Sequence, residues 1–161
     1  MNKNFYRDIE LLSKKFKKIN FYIKGKDYEW IKNPYFNEIL VKIKKSKNIF
    51  ILNDKIKWTP EYCIKKMDFA IARYSSLADE MLAINKPVIV YSLAGNPSNF
   101  FNFGSKLNAN NFFDVEKKLN EINKNFNKYN YKLNSDRQKL FFKFKSNSLK
   151  DKLKKINFKK L

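Results

Sequence analysis

Histidine is absent from this chain and cysteine occurs once, at Cys63. A single thiol excludes an internal disulfide framework, and without histidine neither a zinc site nor a histidine base is expected from this chain alone. Long hydrophobic runs are missing as well. No window approaches the roughly 18 apolar residues of a membrane span. The opening residues, MNKNFYRDIELLSKKF, hold no apolar signal core. The default expectation is therefore a cytoplasmic protein. Acidic residues are few, 15 against 35 basic ones, for a formal net charge of +20. That excess invites a nucleic-acid reading. The basic residues are nearly all lysine, however, with Arg7, Arg73 and Arg137 the only arginines. They are spread among many Asn, Ile, Tyr and Phe residues, the usage an AT-rich genome gives, so nucleic acid is not the expected partner. Peripheral contact with an anionic membrane at the inner face, or with a polyanionic acceptor, stays open.

What is present suffices for a folded domain. Over 161 residues, 43% are hydrophobic, which is ordinary for a globular chain and too high for a disordered one. The pattern is organised around Asp68–Ser92. Phe69 to Ala72 is a short apolar run of the length of a strand buried on both faces. The Arg73-Tyr74-Ser75-Ser76 turn interrupts it. Ser76 is a candidate N-cap with Asp79 three residues on, followed by a helical stripe of Leu77, Met81, Leu82 and Ile84. Asn85 is a candidate C-cap, Pro87 ends the helix, and Val88 to Tyr91 form a second buried strand. Strand, helix and strand in this order predict a βαβ unit with a parallel sheet, whose ligands lie at the carboxyl ends of the strands.

The flanking segments continue the alternation. Phe5, Ile9, Leu12 and Phe16 mark one face of a helix over residues 4–18. Phe21 to Ile23 read as a strand that exits through Lys24, Gly25 and Lys26. Asn33 starts a helix over Pro34–Lys45 with Phe36, Ile39, Leu40 and Ile43 inward, and Ile49 to Leu52 give another strand. Thr59, Pro60 and Glu61 supply a cap, a first-position proline and a first-turn acid. Helices and strands in turn argue an α/β layer with a mostly parallel sheet. Beyond Ser92 the period loosens into a loop whose Phe100, Phe101 and Phe103 are expected to pack on the fold. Helices follow over Val115–Lys124, capped by Asp114, and from Ser135 or Asp136 through Leu140, Phe141 and Phe144, with a basic amphipathic tail. The division expected is a nucleotide-binding domain over 1–113 and a helical extension over 114–161. Neither an internal repeat nor a low-complexity linker is found.

The run from Thr59 to Ser92 resembles the carboxy-terminal, donor-binding half of GT-B glycosyltransferases. It is most similar to the bacterial surface-polysaccharide and CDP-glycerol glycerophosphotransferase-like group. The resemblance rests on Thr59-Pro60-Glu61, on Met67-Asp68 before the buried strand, on Tyr74-Ser75-Ser76, on Asp79 and Glu80, and on Lys86-Pro87. It implies a Rossmann-like domain in which Ser75 and Ser76, with Arg73, Lys24 and Lys26, hold the donor's diphosphate, while Glu80 or Asp79 takes the ribose hydroxyls. The donor would be a nucleotide-diphosphate-activated substrate, with no further cofactor and no metal. Arg73 stands where the group usually has Asp, which leaves the donor type open; an acid such as Asp54 is the other partner considered for it. The resemblance also implies a separate amino-terminal polypeptide or domain with the acceptor site, and a first strand that precedes the helix on which this chain opens. The function implied is the donor-binding half of a transferase of cell-surface polysaccharide synthesis. The alternatives are a non-catalytic subunit or gene-fragment remnant of such an enzyme, a basic nucleic-acid-binding protein, or a sugar-nucleotide epimerase of related fold.

Overall fold

The computed structural model describes residues 3–25, 28–54, 56–73, 75, 77–92 and 107–127. The chain is a mixed α/β protein, and every strand pair among the described residues is parallel. It divides into two compact units, Met1–Met67 and Asp68–Leu161.

The first unit opens on helix α1 (Lys3–Lys15), which buries Ile9 and Leu12 as the spacing predicts. Tyr6 is buried there too, while Phe5 is only half-buried. The difference has a cause in α2 (Glu29–Lys32), a single turn that the sequence pattern missed. It brings Trp30 flat onto Tyr6, with centroids 4.4 Å apart and planes 12° apart, and Phe36 meets both rings edge-on. Asn33 accepts a hydrogen bond from the Tyr35 amide at 2.9 Å and starts a 3-10 turn over Pro34–Phe36. Helix α3 (Asn37–Lys45) follows and buries Ile39, Leu40 and Ile43. Strands β1 (Phe21–Ile23) and β2 (Ile49–Ile51) pair in parallel, with Tyr22 opposite Phe50. Helix α4 (Pro60–Lys66) begins where the sequence places it, the Thr59 hydroxyl accepting from the Tyr62 amide at 3.2 Å.

One polar side chain ties this unit together. The Asn48 amide donates to the carbonyls of Ser13, Phe16 and Ile19 at 3.1, 3.2 and 2.9 Å, and its oxygen accepts from the Ser46 hydroxyl at 3.1 Å. The carbonyls left over where α1 ends are thus satisfied from the turn between α3 and β2.

The second unit holds β3 (Ala70–Ala72), α5 (Leu77–Ala83), β4 (Val88–Tyr91), β5 (Asn108–Ala109) and α6 (Phe112–Lys124). The strand order is β3-β4-β5. Central β4 is buried along its whole length. Strand β3 is only half-buried, which corrects the expectation of a strand covered on both faces. Its cause is position: among the described residues β3 pairs with β4 alone and forms the edge of its sheet. Asn85 does close α5. It takes φ of 66°, and the Asn85 and Lys86 amides return to the carbonyls of Leu82 and Met81 at 3.1 and 2.9 Å. Ile84 lies outside the buried stripe, which is made by Ala78, Met81 and Leu82.

Strand β5 lies where the sequence pattern predicts a loop, since two residues carry no periodicity. Helix α6 starts earlier than Val115, with Asn111 as its cap in place of Asp114. Val115, Leu119 and Ile122 form its buried face as expected. The expectations for Phe100, Phe101 and Phe103, for the helix from Ser135 and for the basic tail fall outside the described residues.

Candidate functional site

Parallel register fixes which turns share a rim. Ala72 stands opposite Val90, and Tyr91 opposite Ala109. The segments leaving β3, β4 and β5 therefore emerge on one side of the second unit's sheet, the carboxyl rim where α/β proteins hold their ligands. Arg73 and Ser75 leave β3 there and are half-buried. Ser92 leaves β4 and is buried, its amide donating to the Ala109 carbonyl at 2.9 Å. Asn110 and Asn111 leave β5.

The two helix starts on this rim differ in charge. At α6 the Asn111 side chain accepts from the Asp114 amide at 2.9 Å, and the Asp114 carboxylate accepts from the Asn110 amide at 3.0 Å. A fixed carboxylate already occupies that helix start, so a second anion is disfavoured. At α5 the Ser75 hydroxyl accepts from the Leu77 amide at 3.3 Å, and the Ser75 carbonyl accepts from Ala78 at 3.2 Å. The hydroxyl that reaches the described helix start is thus Ser75's, whereas Ser76, the expected cap, lies outside the described residues along with Tyr74. An oxygen accepting from Leu77 still carries its own proton, and can donate it to an anion.

Glu80 lies on α5 and is exposed. Asp79 lies on the same helix, and its side chain is outside the description. Arg73, Ser75, Asp79 and Glu80 therefore share one turn and one helix of the second unit. Lys24 belongs to the first unit, half-buried just after β1. There it acts on α4. The Glu61 carboxyl is held below the usual carboxylate range first by a backbone N–H and the Thr59 hydroxyl, and further by the Lys24 charge. Burial pushes the Cys63 thiol up, and Lys24 opposes that push. Asp54, the other partner considered for Arg73, accepts at one oxygen from the amides of Ile56 and Lys57 at 2.9 and 3.0 Å. Lys26 is outside the described residues.

Ser92 and the Asn110–Asn111 pair were not singled out in the sequence. The signal available was their place directly after apolar runs, and only the register of β5 makes it readable. Among the described residues no cluster of acidic, cysteine or histidine side chains is arranged to hold a metal ion, and no helix is long and apolar enough to cross a membrane. No family model, no curated protein and no solved structure matches the chain.

Proposed function

We propose that this chain is the donor-nucleotide-binding half of a glycosyltransferase or glycerophosphotransferase-like enzyme, built on a Rossmann-like domain and acting in cell-surface polysaccharide synthesis. The observation that carries this reading is the Arg73–Ser75 turn. It leaves a parallel strand at the carboxyl rim and runs straight into a helix whose first amides point back at it. In this reading the Arg73 guanidinium and the Ser75 hydroxyl, joined by Ser76, bind the diphosphate of the activated donor. They stabilise the negative charge that gathers on it as the sugar or polyol phosphate departs. Glu80, or Asp79 beside it, accepts from the ribose hydroxyls. The donor is a substrate, and the chemistry needs no resident cofactor.

Acceptor binding and the catalytic base fall to a second polypeptide or domain. The edge of β3 supports that division. Among the described residues β3 is paired on one side only, and Ala70, Ile71 and Ala72 carry neither the charge nor the proline that commonly blocks strand addition. The Ala70 amide is turned to the Pro87 carbonyl at 3.0 Å, and alternation along the strand turns the Ile71 amide the other way. The enzyme so completed works at the cytoplasmic face of the inner membrane.

Calorimetric titration with CDP, UDP and GDP tests the reading. One of the three is expected to bind, with Ser75→Ala weakening it about tenfold through loss of a hydrogen bond to a charged group. Glu80→Ala is expected to weaken nucleotides while leaving inorganic pyrophosphate unaffected. Equal affinities in parent and variants would remove the assignment.

A further inference from the structure

The first unit carries a second feature that the donor reading does not use. Buried Phe21, Ile23 and Ile49 alternate with Tyr22 and Phe50, which point to the opposite face of the β1–β2 ladder and remain 41% and 42% exposed. Parallel sheets ordinarily have both faces covered. Here the second face carries a row of rings. Phe50 stacks on Tyr22 with centroids 5.2 Å apart, Tyr22 lies 6.4 Å from Trp58, and Trp58 lies 5.4 Å from Tyr62, itself 40% exposed.

The backbone beneath the row is anchored at two points. An Asp54 turn fixes Trp58, whose amide donates to the Asp54 carbonyl at 2.9 Å, and the Thr59 cap fixes Tyr62. Cations interleave with the rings. The Lys57 ammonium stands 5.3 Å from the Trp58 ring and the Lys66 ammonium 5.8 Å from the Tyr62 ring.

We propose that this ring row is a docking surface for single-stranded nucleic acid, with bases stacking on Tyr22, Phe50, Trp58 and Tyr62 and phosphates neutralised by the lysines among them. Lysine excess alone argued little for such a partner. A row of rings with ammonium groups over its Trp58 and Tyr62 end argues more, because sequence-tolerant single-strand binding needs both together. A duplex hides the base faces that these rings would contact. A second copy of the chain is disfavoured by its own charge of +20, which sets like charge against like across a lysine-rimmed face. The proposal stands independently of the donor site.

Fluorescence anisotropy of a labelled oligothymidylate of about fifteen nucleotides tests it, at salt between about 50 and 200 mM. Binding is expected to quench the tryptophan emission, since Trp58 is on the row. Phe50→Leu and Tyr22→Leu keep apolar area but remove the stacking face, and each is expected to weaken binding about tenfold with the salt dependence unchanged. Phe50→Tyr is expected to bind as the parent does, which separates loss of the ring from damage to the sheet. Lys44→Ala with Lys45→Ala, on α3, is expected to cost far less than either ring variant. The proposal is overturned if the oligonucleotide does not bind, or if ring variants match the parent while any pair of lysines matters equally. It is also overturned if a duplex binds as tightly, if polyglutamate or an acidic glycan binds with the same ring dependence, or if the ring variants abolish only self-association. Titration of the ring variants with CDP, UDP and GDP keeps failure here distinct from failure at Ser75.

Discussion

The two units bury different kinds of side chain and hold their turns by different means. The core of the first is largely aromatic at one end, where Tyr6, Trp30 and Phe36 pack ring against ring, and its turns converge on one amide, that of Asn48. The core of the second is mostly aliphatic, with Tyr91 its one fully buried ring among the described residues. Val88, Ile89 and Val90 lie against Met81, Leu82, Val115 and Leu119 in a unit whose central strand is wholly buried. The comparison teaches where each unit can change. In the second, most strand side chains are apolar, Tyr91 and Asn108 excepted, and the polar side chains gather in the turns that leave the strands. In the first, polar contacts are part of the frame, and the face left over carries the exposed rings.

The sharpest way to break this contrast is to cut each core at its own kind of contact. Leu119 is fully buried on α6. Leu119→Ala is expected to cost about 3 kcal/mol, through lost transfer energy and the cavity left behind. Urea denaturation followed by far-UV circular dichroism measures it. Next in size is Asn48→Ala, expected to cost about 2 kcal/mol because it takes a donor from the Ser13 and Ile19 carbonyls, while the Phe16 carbonyl keeps the Ile19 amide and the Ser46 hydroxyl keeps Ser13. Both tryptophans, Trp30 and Trp58, lie in the first unit, so their fluorescence reads this loss directly. Asn48→Asp sharpens the test. It keeps the shape, replaces the donating amide with a carboxylate facing three carbonyls, and is expected to be no less damaging than alanine. A cost for Asn48→Ala below about 0.5 kcal/mol, the scatter of surface substitutions, would remove Asn48 from the frame.

These residues also show what was legible in the sequence. Periodic segments were: the spacing of Val115, Leu119 and Ile122 gave the inward face of α6, and Thr59-Pro60-Glu61 gave the start of α4. Such signals are local, carried by side chains a few positions apart. Asn48 is the opposite case. Its partners at Ser13, Phe16 and Ile19 are about thirty residues away, and nothing near Asn48 distinguishes it from the many other asparagines. Trp30 failed to show for the same reason, since a one-turn helix has no period and only Tyr6 gives it a purpose. At the candidate site, Arg73 and Ser75 were legible from their place between strand and helix. Ser92 and Asn110 were not, because their common rim depends on a two-residue strand. The ring row was hidden by number: Tyr22, Phe50 and Trp58 are three of 27 aromatic residues, and nothing groups them until the β1–β2 register sets Tyr22 opposite Phe50.

The smallest expected effect concerns charge on the surface of the first unit. Glu38 on α3 receives Lys42 at 2.8 Å and Lys3 at 3.0 Å. The hydrogen bond from Lys42 first, then that from Lys3 and the charges of both, hold its carboxyl at about 2, against an ordinary value of 4.5. A carboxyl whose value is depressed by folding stabilises the folded state in full above its unfolded value. That contribution is lost as pH falls from about 4.5 toward about 2. The three side chains are exposed or partly so, and solvent screens them, so the expected change is slight. Glu38→Gln is expected to lower the urea midpoint a little near pH 6 and to converge on the parent as pH falls below about 2, where the Glu38 carboxyl becomes protonated in the folded state too. Raising the salt to about 1 M is expected to erase the difference near pH 6, because a surface pair is screened within a few ångströms at that strength. A difference that survives the salt would mean that Glu38 acts through packing, and would move α3 from the charged exterior of the first unit into its frame.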